Sequence, residues 1–343
     1  MRIDILTNDG SPLGVTSNTI WGDSLRIGTG GSELALLTLC EEWTKRGYEV
    51  NLYNNPHEIV SSFAQHPISA FNPDDDRDVV IVFRTPVPIV TGAKGMKIWL
   101  SCDQFSRGNY AKFRSLVDKV VCISPFHVSY FVSTYAITDA IYIDLPVRIH
   151  DFEEMGTVER IPNRFVFTSV PERGLRQLLG IWDGIRHRIP DATLTITSDY
   201  RLWGAAHPSN DKFRSMSLGK AGINFLGGIP RKQMLGEIMQ AEWYVYPCIY
   251  DELFCISCAE AQVAGAYSIT SNVGALATTN MGRQIPGNPS KDNSSILYLE
   301  ALDYLITDKD ARYVEAKETQ KKAIERFHPN NVLDQWDKEV FGI

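Results

Sequence analysis

Short apolar runs alternate with stretches of helical period along most of the chain. In the first half, β-rich runs fall at 2–7, 49–53, 79–83, 97–100, 119–123 and 140–143. Strand-like runs separated by helical patterns predict a parallel sheet. The clearest helix is 32–46. There Ala35, Leu36, Leu39, Cys40 and Trp43 form an i, i+4 stripe, with Ser32 placed to cap the start and Gly47 to end it. A glycine loop, Gly28-Thr29-Gly30-Gly31, leads into it. The second half repeats the alternation, with strands at 165–168, 193–197, 223–226, 243–247 and 267–271 and helices at 174–188, 233–240 and 257–264. Residues 151–162 are charged and weakly apolar, which predicts a linker. The expected organisation is a first α/β domain over 1–150, a linker over 151–162, a second α/β domain over 163–322 and a C-terminal helix over 323–343. Two doubly wound units with a cleft between them is the simplest architecture, and such clefts hold small molecules.

Composition narrows the classes. The 343 residues are 44% hydrophobic and 22% charged, ordinary for a globular protein with two cores. The net charge of −7 counts against a dedicated nucleic-acid binder. The N-terminus MRIDILTN reads as a strand with no apolar leader after it, and no apolar run approaches the roughly 20 residues that span a bilayer. A cytoplasmic protein is expected, with a peripheral membrane contact as a variant of that reading. The six cysteines show no zinc-like spacing. Cys255 and Cys258 form a lone C-x-x-C, so small buried thiols are the better expectation.

The densest chemistry lies at 244–265, YVYPCIYDELFCISCAEAQVAG. A strand ends near Pro247, a loop carries Glu252 and Phe254, and a small-residue helix with Glu260 runs to Gly265. This is the layout of a ligand loop at the carboxyl end of a parallel strand. A structural reading of the same acids is also open. Ser257 to Glu260 fits S-x-x-E, a capping box, and Glu252 would then be a solvated loop acid.

The stretch resembles the donor motif of the retaining GT-B glycosyltransferases of family 4, E-G-F-G-x-x-x-x-E-A-x-A-x-G. Glu252, Phe254, Glu260 and Gly265 match, while Leu253 and Cys255 replace two glycines. The resemblance implies two Rossmann-like domains facing a central cleft, with a C-terminal helix crossing back to the first. It implies that Glu252 meets the hydroxyls of the donor sugar and Glu260 the ribose. Phe254, Cys255, Ile256, Gly174 and Gly274 are implied as further donor contacts. No cofactor and no metal are implied beyond the nucleoside diphosphate sugar itself.

Other motifs fit in part. SVPERG at 169–174 stands where the family shows G-R-x-x-x-x-K-G. Arg173 takes the Lys position and Gly174 matches, but Phe167 and Thr168 replace the Gly and the Arg. An Arg binds phosphate bidentately, so Arg173 is implied at the diphosphate. Arg201 or Arg231 is the candidate for the second cation. GTGGSE at 28–33 resembles the family's G-G-[AS]-E loop, giving Gly30 and Gly31 as a substrate loop. It is not a dinucleotide fingerprint, which would need a glycine at Glu33. Where the family has a His or an H-D pair, SCDQF leaves only Asp103, an acid able to orient or deprotonate an acceptor hydroxyl. Asp74-Asp75-Asp76 follows Asn72-Pro73 and reads as a solvated turn rather than a metal site. Lys94, Lys97, Arg107, Lys112, Arg114 and Lys119 form a scattered cationic set that could meet an anionic lipid, with ordinary surface charge as the default.

The function implied is transfer of a sugar from a UDP- or GDP-linked donor to a glycan, lipid-linked or other hydroxyl acceptor, with retention. The catalytic set would be Glu252, Arg173 and Asp103. Three alternatives stay open: a modified DNA base as acceptor, an inactive nucleotide-sugar-binding scaffold of the same fold, and an epimerase.

Overall fold

The computed structural model of the chain describes residues 1–7, 14–22, 27–58, 61–200, 209–291 and 294–343, with backbone alone at 88, 89, 209, 210 and 295. The chain divides into two compact units. The first comprises Met1–Asp23, Thr29–Pro146 and Pro329–Ile343, and the second Ser24–Gly28 and Val147–His328.

Unit 1 is built on seven strands: β1 (Arg2–Thr7), β2 (Glu49–Tyr53), β3 (Ala64–His66), β4 (Val79–Phe83), β5 (Met96–Leu100), β6 (Lys119–Cys122) and β7 (Ile141–Tyr142). They order as β3-β2-β1-β4-β5-β6-β7, and every pairing is parallel. All five residues of β4 are buried, as expected of a central parallel strand covered on both faces. The order reverses between β1 and β4. This is the topological switch point, where loops leaving the carboxyl ends diverge and open a crevice.

The Gly31–Lys45 helix follows β1 in the chain. Its N-cap is Gly30 and no side chain caps it, so Ser32 lies inside the first turn rather than before it. It stops as the sequence predicts. Gly47 has φ 88°, Gly47 N–H donates to Thr44 O and Tyr48 N–H to Trp43 O, a Schellman ending that glycine makes inexpensive. The C-terminal segment, Pro329–Gln335 with a wider turn over Trp336–Phe341, belongs to this unit. Trp336 meets Trp43 edge-to-face at 5.2 Å, and Asp337 accepts from Arg46 (2.6 Å) and the Tyr48 hydroxyl (2.9 Å).

Unit 2 holds six strands: β8 (Ile161–Phe167), β9 (Thr193–Ile196), β10 (Ile223–Phe225), β11 (Ala241–Tyr246), β12 (Tyr267–Ser271) and β13 (Arg283–Ile285). Their order is β10-β9-β8-β11-β12-β13, again all parallel, with the switch point between β8 and β11. Phe165, Trp182, Trp243 and Tyr267 form a run of ring contacts through the core, with the Arg312 guanidinium 4.3 Å from the Trp243 ring centroid. Both units are therefore doubly wound α/β layers.

The stretch 151–162 is not a linker. The unit changes at Pro146/Val147, Ile149–Glu154 is helical, and Asp151 is fully buried. Its charged composition misleads because Asp151 is ion-paired inside the protein rather than solvated. The second boundary falls at His328/Pro329. The Lys309–Phe327 helix is continuous across 322–323 and ends just before the residue preceding Pro329, where α conformation is disfavoured. Among the described residues no helix is long and apolar enough to cross a membrane. All six cysteines are buried and free.

Candidate active site

Two loops meet at the switch point of unit 2. After β8 the chain makes a short turn over Pro171–Arg173, and after β11 it enters the loop that carries Glu252. The loops are close because residue 174 is glycine. A Cβ there would stand 2.8 Å from Pro247 O, and Ile249 N–H donates to Arg173 O at 2.8 Å. Arg173 Nη1 then reaches Glu252 Oε2 at 2.7 Å, with its guanidinium 4.2 Å from the Tyr250 ring centroid. The other carboxylate oxygen of Glu252 accepts from the Tyr246 hydroxyl at 2.8 Å, which in turn accepts from Ser169 Oγ at 2.9 Å. Burial alone would lower the Arg173 guanidinium, but Glu252 more than offsets it and raises it further, so the group stays charged. Burial and Glu252 push the Tyr246 hydroxyl well up, keeping it a neutral donor.

The Glu252 backbone is fixed as tightly. Its carbonyl accepts from Ala275 N–H at 2.7 Å, and Gly274 has φ 56°. A Cβ at Gly274 would lie 2.6 Å from Glu252 O and 2.7 Å from Asp251 C. Cys255 has φ 75°, ψ 74° and is the N-cap of the Ile256–Val263 helix. The family glycine at this position thus becomes a left-handed cysteine, a strained choice for a residue with a Cβ. Its thiol is pushed up to about 12 by burial and by Glu252.

Ser257 caps nothing. It lies within the helix and shares a hydrogen bond with the Tyr244 hydroxyl at 3.1 Å, so the capping-box reading of Glu260 fails. The Glu260 carboxylate instead faces Arg231, the first residue of the Arg231–Gln240 helix, with Oε1 2.9 Å from Nη2. Arg231 Nε donates to Asp151 Oδ2 at 2.6 Å, and Asp151 also takes Arg148 (3.0 Å) and His150 (3.0 Å). Arg231 and Glu260 are 5% and 3% exposed. Burial would lower the Arg231 guanidinium and raise the Asp151 carboxyl. In both cases their charged partners win, so Arg231 is raised and Asp151 lowered.

The remaining expected residues divide. Phe254 is buried and packs on Phe327, centroids 5.5 Å apart, so its side chain is core. Ile256 is half-buried at the start of the Glu260 helix. Phe167 is core. Of the two candidates for a second cation, Arg201 lies outside the described residues, and Arg231 is held between two carboxylates.

In unit 1, Gly30 and Gly31 open their helix after β1. Asp103 lies in the loop after β5, and Arg84 joins them from the end of β4. Arg84 Nη1 donates to Glu33 Oε1 at 2.7 Å and Nε to Asp103 Oδ2 at 2.8 Å. Its φ of 62° is left-handed, and its carbonyl accepts from Trp99 Nε1 at 2.8 Å. Sequence reasoning missed Arg84, although a cation directly after the apolar run VVIVF was a visible signal. It also missed Tyr246 and Asp151, which resemble ordinary strand and helix residues until the fold pairs them.

Asp74 and Asp75 form a turn on Asn72, and Asp76 pairs with Lys94 at 2.7 Å. Among the described residues no group of three or more His, Cys, Asp or Glu could hold a metal ion. The cationic set is partly engaged as well. Lys94 meets Asp76, Arg114 meets Asp139, and Lys119 Nζ donates to the carbonyls of Glu339 (3.1 Å) and Val340 (2.6 Å).

Residues 165–326 match the family model described as glycosyl transferases group 1. No curated protein matches the chain. Sucrose-phosphate synthase from Thermosynechococcus elongatus superposes with a TM-score of 0.72 at 14% identity, over 99% of each chain. HepE from Anabaena, solved in complex with UDP, gives 0.71 at 14% over 100% of each. WaaG, a glycosyltransferase involved in lipopolysaccharide biosynthesis, gives 0.62 at 13%, covering 97% of this chain and 98% of that one. At such identities the likeness is one of fold. The fold is that of the GT-B glycosyltransferases, and residues 165–326 match the model of the glycosyl transferases group 1 family.

Proposed function

We propose that the chain is a retaining glycosyltransferase that moves a glycosyl group from a UDP- or GDP-linked sugar to an acceptor hydroxyl, in the synthesis of a glycan or glycolipid. The observation that carries this reading is the meeting of Arg173 and Glu252 at the switch point of the second sheet, where α/β folds take their ligands. HepE has been solved with UDP, with UDP and glucose, and with UDP-glucose, which makes uracil the first base to test here.

The reaction breaks the bond between the anomeric carbon and the diphosphate oxygen, and the electron pair leaves on the diphosphate. Arg173 answers that charge. A preorganised guanidinium acts without reorienting as charge develops, and such groups contribute most when water is excluded. Glu252, held by Arg173 and Tyr246, receives the sugar hydroxyls, and Glu260 receives the ribose. Positioning of this kind lowers the entropic part of the barrier. Asp103, held by Arg84, is assigned to take the proton of the acceptor hydroxyl, whose oxygen forms the new bond to the anomeric carbon on the face the diphosphate leaves. In this scheme no divalent ion is needed.

Thermal stabilisation by UDP, GDP, ADP and their sugar conjugates is the test. A ligand at about 100 times its Kd adds about 2.7 kcal/mol to a folded state it binds alone. One base should stabilise the wild type, and Arg173→Ala and Glu260→Ala should lose the shift. No shift from any nucleotide at millimolar concentration overturns the donor site. The anomeric proton coupling of the product, read by NMR, checks retention, and turnover in EDTA checks independence from metal.

A further inference from the structure

The ion network behind Glu260 has an unusual end. Arg231 Nη2 and Glu260 Oε1 are 2.9 Å apart, yet neither atom has a hydrogen-bond partner among the described residues, and both are buried. They attract as charges without the alignment that would use the N–H and the lone pair. Buried polar atoms left this way are rare and call for a partner. The other end is saturated: Asp151 takes Arg231, Arg148 and His150. The Arg231 guanidinium is thus anchored through Nε, leaving Nη2 beside the carboxylate oxygen.

A hydroxyl satisfies both atoms at once. Its O–H donates to Glu260 Oε1, and its lone pair accepts from Arg231 Nη2. A phosphate oxygen meets like charge from Glu260, with the Asp151 carboxylate next on the same guanidinium. A C–H in that place leaves both groups unpaired. We infer that Arg231 reads the same ribose hydroxyl as Glu260, with Asp151 as the positioning residue that aims it, so that Arg231 sets ribonucleotide specificity and is not a diphosphate ligand. The inference rests on the donor-site reading above.

Calorimetric titration with UDP, GDP and ADP, each beside its 2′-deoxy and 3′-deoxy forms, tests it. One charge-assisted hydroxyl contact corresponds to a roughly 10- to 100-fold preference for the ribonucleotide. The wild type should show that preference against at least one deoxy form. Arg231→Lys keeps a cation beside Asp151 but loses the fork that reaches two groups, and Asp151→Asn loosens the anchor. Both should bring the preference to within about threefold while binding of the deoxy form is retained. Melting curves identify any variant that fails to fold, and Arg231→Lys decides alone if Asp151→Asn does not. Two results overturn the inference with the donor site intact. The wild type could bind ribo and deoxy forms equally, or Arg231→Lys could weaken both by one factor, as loss of a phosphate ligand or of a purely structural contact would. If no ribonucleotide binds the wild type, the donor site itself falls and takes this inference with it.

Discussion

Gly274→Ala separates backbone strain from steric overlap at the loop that holds Glu252. With φ 56°, residue 274 sits where an L side chain costs roughly 1–2 kcal/mol. Alanine partly recovers this by narrowing the unfolded ensemble, by about 0.4–1 kcal/mol. Gly219 shares these terms. It lies in the same unit with φ 77°, and a Cβ there meets nothing within 4 Å. At Gly274 the Cβ falls 2.6 Å from Glu252 O and 2.7 Å from both Asp251 C and Glu252 N. All three are backbone atoms, so no rotamer change relieves the overlap, which adds roughly 1–3 kcal/mol. Calorimetric unfolding should therefore show Gly274→Ala less stable than Gly219→Ala by about that difference. Because the loop must shift, Gly274→Ala should also weaken binding of a nucleotide sugar, while Gly219→Ala leaves it unchanged. Equal stability losses with equal affinity would refute the claim that glycine is needed at 274 for close approach.

Trp336→Ala removes the ring that packs on Trp43 and Phe341, and should cost about 3–5 kcal/mol in urea unfolding; a loss under 1 kcal/mol would show that the C-terminal segment is not part of the unit 1 core. Burial holds the His127 imidazole down at about 3. Below about pH 6.5 the unfolded chain therefore takes up a proton that the folded chain does not. Stability should fall by roughly 2 kcal/mol from pH 7 to pH 5 through this group, and His127→Gln should flatten that slope. With all six cysteines buried and the Cys255 thiol pushed up to about 12, a thiol reagent should titrate none rapidly in the native protein and six after denaturation.

The layered fold was legible because its signals are local. The runs at 2–7, 49–53 and 79–83 and the helix stop at Gly47 follow from side-chain period and glycine alone. The three-residue strands Ala64–His66 and Arg283–Ile285 were not legible, because AQH and RQI are mostly polar, unlike the equally short INF at 223–225. The boundary near 151 was misplaced because composition cannot distinguish a solvated aspartate from one buried among Arg148, His150 and Arg231. Glu252, Glu260 and Arg173 were singled out only through the resemblance to the family motif. Tyr246 and Asp151 were not, and Arg231 was expected as a second phosphate cation rather than as the partner of Glu260, because these pairings form only when β8 and β11 are set side by side.

The most direct measurement is calorimetric titration of the wild type, Arg173→Ala and Glu252→Gln with UDP and UDP-glucose, repeated with GDP and GDP-mannose. If Arg173 meets the diphosphate and Glu252 the sugar, Arg173→Ala should weaken the nucleotide and its sugar conjugate alike, by about 10- to 100-fold for a lost charge-assisted contact. Glu252→Gln should weaken only the conjugate. Unchanged binding in Arg173→Ala, or equal losses for both ligands in Glu252→Gln, would contradict the donor site.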